Sequence, residues 1–203
     1  LGIKKQSNLI MYNIAVLTSG KSRGSNFEAI YSFFKKKKLP VDISFVTVNR
    51  KSAPIIEKCE KFGVNYYYLS TKNINSFEDK LSGLISEKDI DLVALAGFLK
   101  KLSSEFLDKI AVPILNIHPA LLPRYGGKGF YGMKVHKAVF ENRDKFSGVT
   151  VHLVNSEYDK GKIIKQEKVN IEECNSAQSI ADKVLKIEHK IYPRTIWEYL
   201  SRE

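Results

Sequence analysis

The hydrophobic pattern of this chain changes period repeatedly, and each change marks an element. Apolar runs at residues 14–18, 43–48, 65–69, 92–96 and 114–117 have strand length and little alternation, as strands covered on both faces do. After each of the first four, apolar residues recur at helical spacing. Strands alternating with helices in this way predict a parallel sheet built from right-handed crossovers. Residues 148–154 then alternate apolar and polar, and 163–169 reads as the partner strand of a hairpin, so one of this pair runs antiparallel to the main sheet. A helix over 133–142 precedes the hairpin, and a long helix over 177–200, with Pro193 as a kink point, closes the chain. The prediction is an α/β protein with a mostly parallel sheet of about seven strands and a late antiparallel hairpin strand.

Local signals refine the boundaries. Ser52 stands where it can cap a helix beginning near Pro54, and Gly63 where it can close that helix. Ser76 and Asp79 have capping-box spacing ahead of Leu81, Leu84 and Ile85. Residues 1–10 carry no clear pattern and read as an N-terminal extension or expression remnant, which leaves 11–203 as a single domain. A chain of 203 residues, 43% of them hydrophobic, is long enough for one well-buried core. No apolar run approaches the roughly 18 to 20 residues of a membrane span, and no signal peptide pattern heads the chain, so a soluble cytoplasmic protein is expected. Cys59 and Cys174 lie far apart with no CxxC motif, which suggests two reduced thiols and neither a disulfide framework nor a metal site.

Charge changes the picture more. A net charge of +11 gathers phosphates, whatever carries them. The lysines are spread along the chain, however, and the run Lys35 to Lys38 falls at a helix end where cations complement the dipole. No strand alternates aromatic and basic residues as an RNA-binding sheet does. The expected partners are anionic small molecules rather than nucleic acid.

In an open parallel sheet, ligands bind beyond the carboxyl ends of the strands, where strand order reverses. Three loops share that edge. The first, Ser19-Gly20-Lys21-Ser22-Arg23-Gly24-Ser25-Asn26, runs into a helix and has the glycines and free amides of a phosphate cradle; a helix start capped by Ser25 or Asn26 is the plainer alternative. A Walker A loop is excluded, because Ala15 stands where its first glycine belongs, and no GxGxxG is present. The second, Ala96-Gly97-Phe98-Leu99-Lys100-Lys101-Leu102, forms an apolar wall, although core packing alone would account for Leu99 and Leu102. The third begins Asn116-Ile117-His118-Pro119. Its Asn116 and His118, two apart at a strand end, send an amide and an imidazole from the same face, and Pro119 and Pro123 stiffen the loop as it leaves the sheet. A glycine-rich loop occupies residues 126–132, and Asp159 lies in the hairpin loop. His136 and His189 on helices and His152 in the late strand read as hydrogen-bonded structural histidines. Glu188 has no charged partner one turn away, and the pattern alone makes it a solvated carboxylate.

Over residues 13–200 these motifs resemble the phosphoribosylglycinamide formyltransferases. Gly24-Ser25-Asn26 is similar to that family's substrate-phosphate loop, Ala96-Gly97-Phe98-Leu99 to its folate-pocket edge, Asn116-Ile117-His118-Pro119 with Asp159 to its catalytic set, and Glu188-His189-Lys190-Ile191-Tyr192-Pro193 to its last helix, whose glutamate contacts the substrate ribose. The resemblance implies a three-layer, Rossmann-like formyltransferase fold, with a phosphate-binding half to about residue 110 and a folate and catalytic half after it. It implies transfer of the formyl group of 10-formyltetrahydrofolate to the amine of 5'-phosphoribosylglycinamide in purine synthesis, without a metal, by a monomer or homodimer. Such a transfer passes through a tetrahedral oxyanion. Asn116 and a protonated His118 would stabilise that charge, while Asp159 favours the imidazolium and takes up the amine proton. The folate would meet Leu99, Lys100, Lys101, Leu102 and Asn116, with its pterin between the 99–102 wall and the 155–159 loop. There are departures. The first loop is longer by Ser22 and Arg23, Ala120 replaces a common serine, and Lys72 is merely the nearest counterpart of a folate-binding basic residue. Another formyltetrahydrofolate-dependent transferase or hydrolase, or a non-catalytic nucleotide-binding protein, remains the alternative. Methionyl-tRNA formyltransferases share the Asn-x-His signature but carry a further C-terminal domain, for which 203 residues leave no room.

Overall fold

A computed structural model describes residues 10–20 and 23–202, so all but Ile10 of the expected extension over 1–10, together with Lys21, Ser22 and Glu203, lies outside the described residues. The strands are β1 (Tyr12–Leu17), β2 (Val41–Val48), β3 (Tyr66–Tyr68), β4 (Leu92–Leu95), β5 (Ile114–His118), β6 (Phe146–Leu153) and β7 (Ile163–Asn170). They form a sheet in the order β3-β2-β1-β4-β5-β6-β7. The first five run parallel, whereas β6 is antiparallel to both β5 and β7. The helices are α1 (Ser25–Lys37), α2 (Ile55–Phe62), α3 (Ile74–Glu87), α4 (Ser104–Lys109), α5 (Met133–Glu141) and α6 (Ala177–Leu200).

Strand alternation divides the core between two helical layers. Ile14 and Val16 of β1 pack with α1, α2, α5 and α6, while Ala15 and Leu17 pack with α3 and α4. In β5, Leu115 and Ile117 join the first core and Ile114 the second. Asn116 and His118 therefore face the side of α3 and α4. These two helices pack chiefly on β1, β2 and β4, so beyond them the face of β5 and β6 is left to loops.

Two helix starts differ from the sequence expectation. Ser52 caps nothing, because α2 begins behind Pro54, whose φ of −60° is already helical and whose ring lacks the N–H a cap would satisfy. Helix α3 starts ahead of the expected box. Asn73 is its N-cap and accepts from Ser76 N at 3.1 Å, which places Ser76 inside the first turn. Gly63 does close α2, at φ 66°, and a capping box is present at α6, between Ser176 and Ser179.

Strand order reverses between β1 and β4, and the loops there are bound together. Ser19 N donates to Gly97 O at 3.1 Å, and Leu99 N donates to Ser19 Oγ at 2.9 Å. After β5, residues 119–123 are held down by Thr150 of β6. The buried Thr150 hydroxyl donates to Ala120 O at 2.7 Å and accepts from Leu122 N at 3.1 Å, while Gln166 Nε2 reaches Leu122 O at 2.9 Å. The two prolines are thus assisted by a polar anchor that local sequence does not reveal.

Candidate active site

A cavity of about 500 Å³ opens over the carboxyl ends of β1, β4 and β5, lined among others by Asn26, Leu99, Asn116, His118, Asp159 and Glu188. That is the size range of small-molecule sites. Its catalytic end is built on the β5–β6 pair. Asn116 lies opposite His152 and His118 opposite Thr150, so all four side chains share one face. The β6–β7 loop folds back over that face and brings Asp159, at φ 56°, to both histidines. Its tightness shows at Gly161, where a Cβ would collide with the Leu153 carbonyl.

His118 is 4% exposed. Its Nε2 lies 2.8 Å from Tyr125 O, an acceptor, so Nε2 carries the proton. In the neutral ring the lone pair therefore sits on Nδ1, which is 3.7 Å from Asp159 Oδ2. Burial pushes the imidazole below its ordinary value, and Asp159 and the Tyr125 carbonyl, acting the other way, do not offset it. Burial thus works against the expected imidazolium and favours the neutral ring, with Asp159 placed beside Nδ1 to stabilise a proton arriving there.

Asp159 has the opposite character. Burial acts to raise its carboxyl, but the neighbouring His152 and His118 imidazoles and the Gly127 N–H together hold it below the usual carboxylate range. Gly127 N donates to Oδ2 at 2.9 Å, and Oδ1 stands 3.6 Å from His152 Nε2. The glycine-rich loop thus closes the cavity and clasps its carboxylate, a role its composition alone does not disclose.

His152 lies in the late strand and is hydrogen-bonded, as the sequence reading has it, but its partner is the site residue Asn116. The imidazole Nδ1 donates to Leu153 O at 2.8 Å, which leaves Nε2 to accept from Asn116 Nδ2 at 3.1 Å. The Asn116 amide nitrogen is thereby turned toward His152, with its second N–H free for the cavity. The usable signal would have been the register opposite Asn116, which is set by the long-range pairing of β5 with β6 and not by the local pattern of either strand.

At the far end of the cavity, Glu188 is 8% exposed and accepts from Asn26 Nδ2 at 2.7 Å. It is not the solvated glutamate its helical neighbours suggest, because its partner comes from α1. Burial raises its carboxyl to about 7, with the Asn26 hydrogen bond acting in the opposite direction. In the window between the ordinary glutamate value and pH 7, the folded state keeps a proton that the unfolded chain has lost, so this group's contribution to stability falls as pH rises. At about 1.4 kcal/mol per unit the swing is on the order of 3 kcal/mol. His118, His136 and His189, held low by burial, act oppositely. The test is therefore differential. Urea unfolding at pH 5 and pH 8 should show Glu188→Gln gaining on the unmodified chain at the higher pH; a gap that does not change with pH would refute this.

Gly24 precedes α1 at φ 69° as its N-cap, with no side-chain cap bond, so neither Ser25 nor Asn26 caps the helix. A Cβ there would stand 2.5 Å from Ile55 Cγ1. Substitution at Gly24 consequently strains the fold as well as the loop. Gly24→Ala is expected to cost roughly 1–3 kcal/mol, read as a lowered thermal midpoint, and an unchanged midpoint would contradict the geometry.

The folate wall divides. Leu99 is 48% exposed and borders the main cavity, whereas Leu102 is 2% exposed and packs in the α3–α4 core. Lys100, Lys101 and Leu102 also edge a smaller cavity of about 70 Å³ shared with Asn155, Tyr158 and Asp159. Lys101 Nζ lies 6.0 Å from the Tyr158 ring centroid. Lys72 lines neither cavity. Among the described residues no group of three or more His, Cys, Asp and Glu side chains is placed to hold a metal ion, and no helix is long and apolar enough to cross a membrane.

Known proteins are similar to this chain in sequence and fold. The profile of the formyl transferase family matches residues 12–196. A chloroplastic phosphoribosylglycinamide formyltransferase of Arabidopsis thaliana is 35% identical over 187 residues, covering 90% of this chain and 63% of that protein, so the chain spans less than two thirds of that relative's length. The phosphoribosylglycinamide formyltransferase of Escherichia coli (strain K12) is 37% identical over 187 residues, covering 91% of this chain and 85% of the relative. The crystal structure of phosphoribosylglycinamide formyltransferase from Campylobacter jejuni superposes with a TM-score of 0.84 at 32% identity, over 96% of this chain and 100% of the other. With its profile matched from β1 into α6, this chain belongs to the formyl transferase family.

Proposed function

We propose that this chain transfers the formyl group of 10-formyltetrahydrofolate to the amine of 5'-phosphoribosylglycinamide. The observation that carries this reading is a single cavity with Asn116, His118 and Asp159 at one end and the Asn26–Glu188 pair at the other. The ribonucleotide would enter with its phosphate toward Gly24, Ser25 and Asn26 and its ribose on Glu188, with the N-terminal half supplying the phosphate end. Asn26 Oδ1 is buried and has no protein partner, so it can accept from a ligand hydroxyl or amine. The folate would lie along Leu99 to Leu102, reaching Asn116.

Bound 10-formyltetrahydrofolate supplies an electrophilic formyl carbon. The free N–H of Asn116 is a donor for the oxygen that becomes an oxyanion when the amine adds. The attacking nitrogen turns cationic, and the Asp159–His118 pair takes its proton, with Nδ1 of His118 as the open acceptor. The resulting imidazolium is stabilised by Asp159 and lies near the oxyanion. The same pair then returns the proton to the departing folate nitrogen, so the residues end as they began. The decisive experiment is a formyl-transfer assay with the two substrates, repeated with the dephosphorylated glycinamide ribonucleoside. Transfer that requires the phosphate for a low KM supports the reading; absence of transfer to either acceptor rejects it.

A further inference from the structure

Tyr192 lies on α6 one turn beyond Glu188, and its side chain is fully buried. Its hydroxyl oxygen is 2.9 Å from the carbonyl oxygen of Leu95 and 2.9 Å from that of Leu115. A phenol has one hydrogen, so a single donor is shared by acceptors on two neighbouring strands. Satisfying a buried hydroxyl would need only one of them. Both carbonyls adjoin the site. That of Leu115 belongs to the peptide unit that leads into Asn116, and Leu95, which pairs with Asn116 across β4 and β5, leads into the Gly97 loop bound to Ser19. The other end of the same helix turn holds Glu188 on Asn26.

We propose that Tyr192 is a positioning residue that sets the spacing between the ribose end of the cavity, through Glu188, and its formyl end, through Asn116; the inference rests on the formyl-transfer reading above. One hydroxyl couples α6 to the end of β4, at Leu95, and to β5 at Leu115, immediately before Asn116. Without that bond α6 keeps its apolar packing but loses the polar contact that fixes its height over Asn116. Spacing matters here because a misplacement of about 1 Å between reacting groups can cost on the order of 100-fold in rate.

The test is Tyr192→Phe, which removes one oxygen and little else. At a temperature well below its unfolding midpoint the variant should lose roughly 10- to 100-fold in kcat, raise KM for the ribonucleotide several-fold, and leave KM for 10-formyltetrahydrofolate near its normal value. In an Asn116→Ala background the same change should cost no further kcat, since the donor it positions is gone. A core tyrosine without this role would lower the midpoint but leave kcat and KM unmoved, and that result overturns the proposal; so does a kcat loss of equal factor in both backgrounds. A measurement independent of variant folding is available in the unmodified protein. The buried Tyr192 hydroxyl proton should be a slowly exchanging NMR resonance that shifts when ribonucleotide binds, and a resonance that stays put overturns the proposal as well. An Asn116→Ala enzyme with normal turnover would remove the underlying reading and this inference together, whereas the other outcomes remove this inference alone.

Discussion

Asp159→Asn is expected to lower formyl transfer by roughly 10²- to 10⁴-fold, the range for a lost acid–base group, with ribonucleotide affinity little changed. The substitution keeps the side chain's shape and an oxygen for Gly127 N, 2.9 Å away in the unmodified chain, so the loop it closes should stay in place. What disappears is the negative charge facing His118 Nδ1 at 3.7 Å. Because Asp159 acts to raise the His118 value against burial, the imidazole should titrate still lower in the variant. Transfer requires an ionised Asp159 and an unprotonated Nδ1, so kcat in the unmodified enzyme should be level at neutral pH and fall on the acid side; in the variant that limb shifts to lower pH. Steady-state kinetics and NMR titration of the imidazole read both effects. Near-normal turnover would leave Asp159 with a structural role only.

Asn116→Ala should cost roughly 10²- to 10³-fold in kcat, the usual penalty for one oxyanion donor. The amide nitrogen sits 3.1 Å from His152 Nε2, and that contact aims its remaining N–H into the cavity. Truncation removes the donor from the developing charge while leaving the ribose and phosphate contacts untouched, so the loss belongs in kcat. A loss confined to KM would mean that Asn116 binds ground-state substrate and does not stabilise the oxyanion.

How much of this was legible in the sequence depends on the range of the interactions involved. The alternation of strand and helix is a local signal, and it located all seven strands of the described sheet within about two residues. Asn116 and His118 were legible for the same reason: two polar residues two apart at the end of an apolar strand leave one face. Glu188 was not. Its burial depends on Asn26, 162 positions earlier in the chain, and helical periodicity carries no trace of that partner. The contact of His152 with Asn116 required the pairing register of β5 with β6, which composition does not encode. The glycines at 126–132 marked a loop, but what it clasps is decided by the return of the hairpin. The pull of burial against the His118 imidazolium also escaped, because a neighbouring carboxylate can be inferred from a motif whereas depth of burial cannot.

The antiparallel junction of β5 and β6 has a consequence for how the protein acquires activity during folding. The parallel part of the sheet forms from successive crossovers, but β6 must cross back over the face and find one register on β5. A slip of a single residue would turn Val151 into the cavity and send His152 and Thr150 to the side of α6. Such a molecule would retain its β1–β5 nucleus and much of its α/β core and yet lack the partner of Asn116, the anchor of the 119–123 loop and the seat of Asp159. Regain of native-like circular dichroism during refolding should therefore run ahead of regain of turnover, with the interval between them set by the docking of this one hairpin.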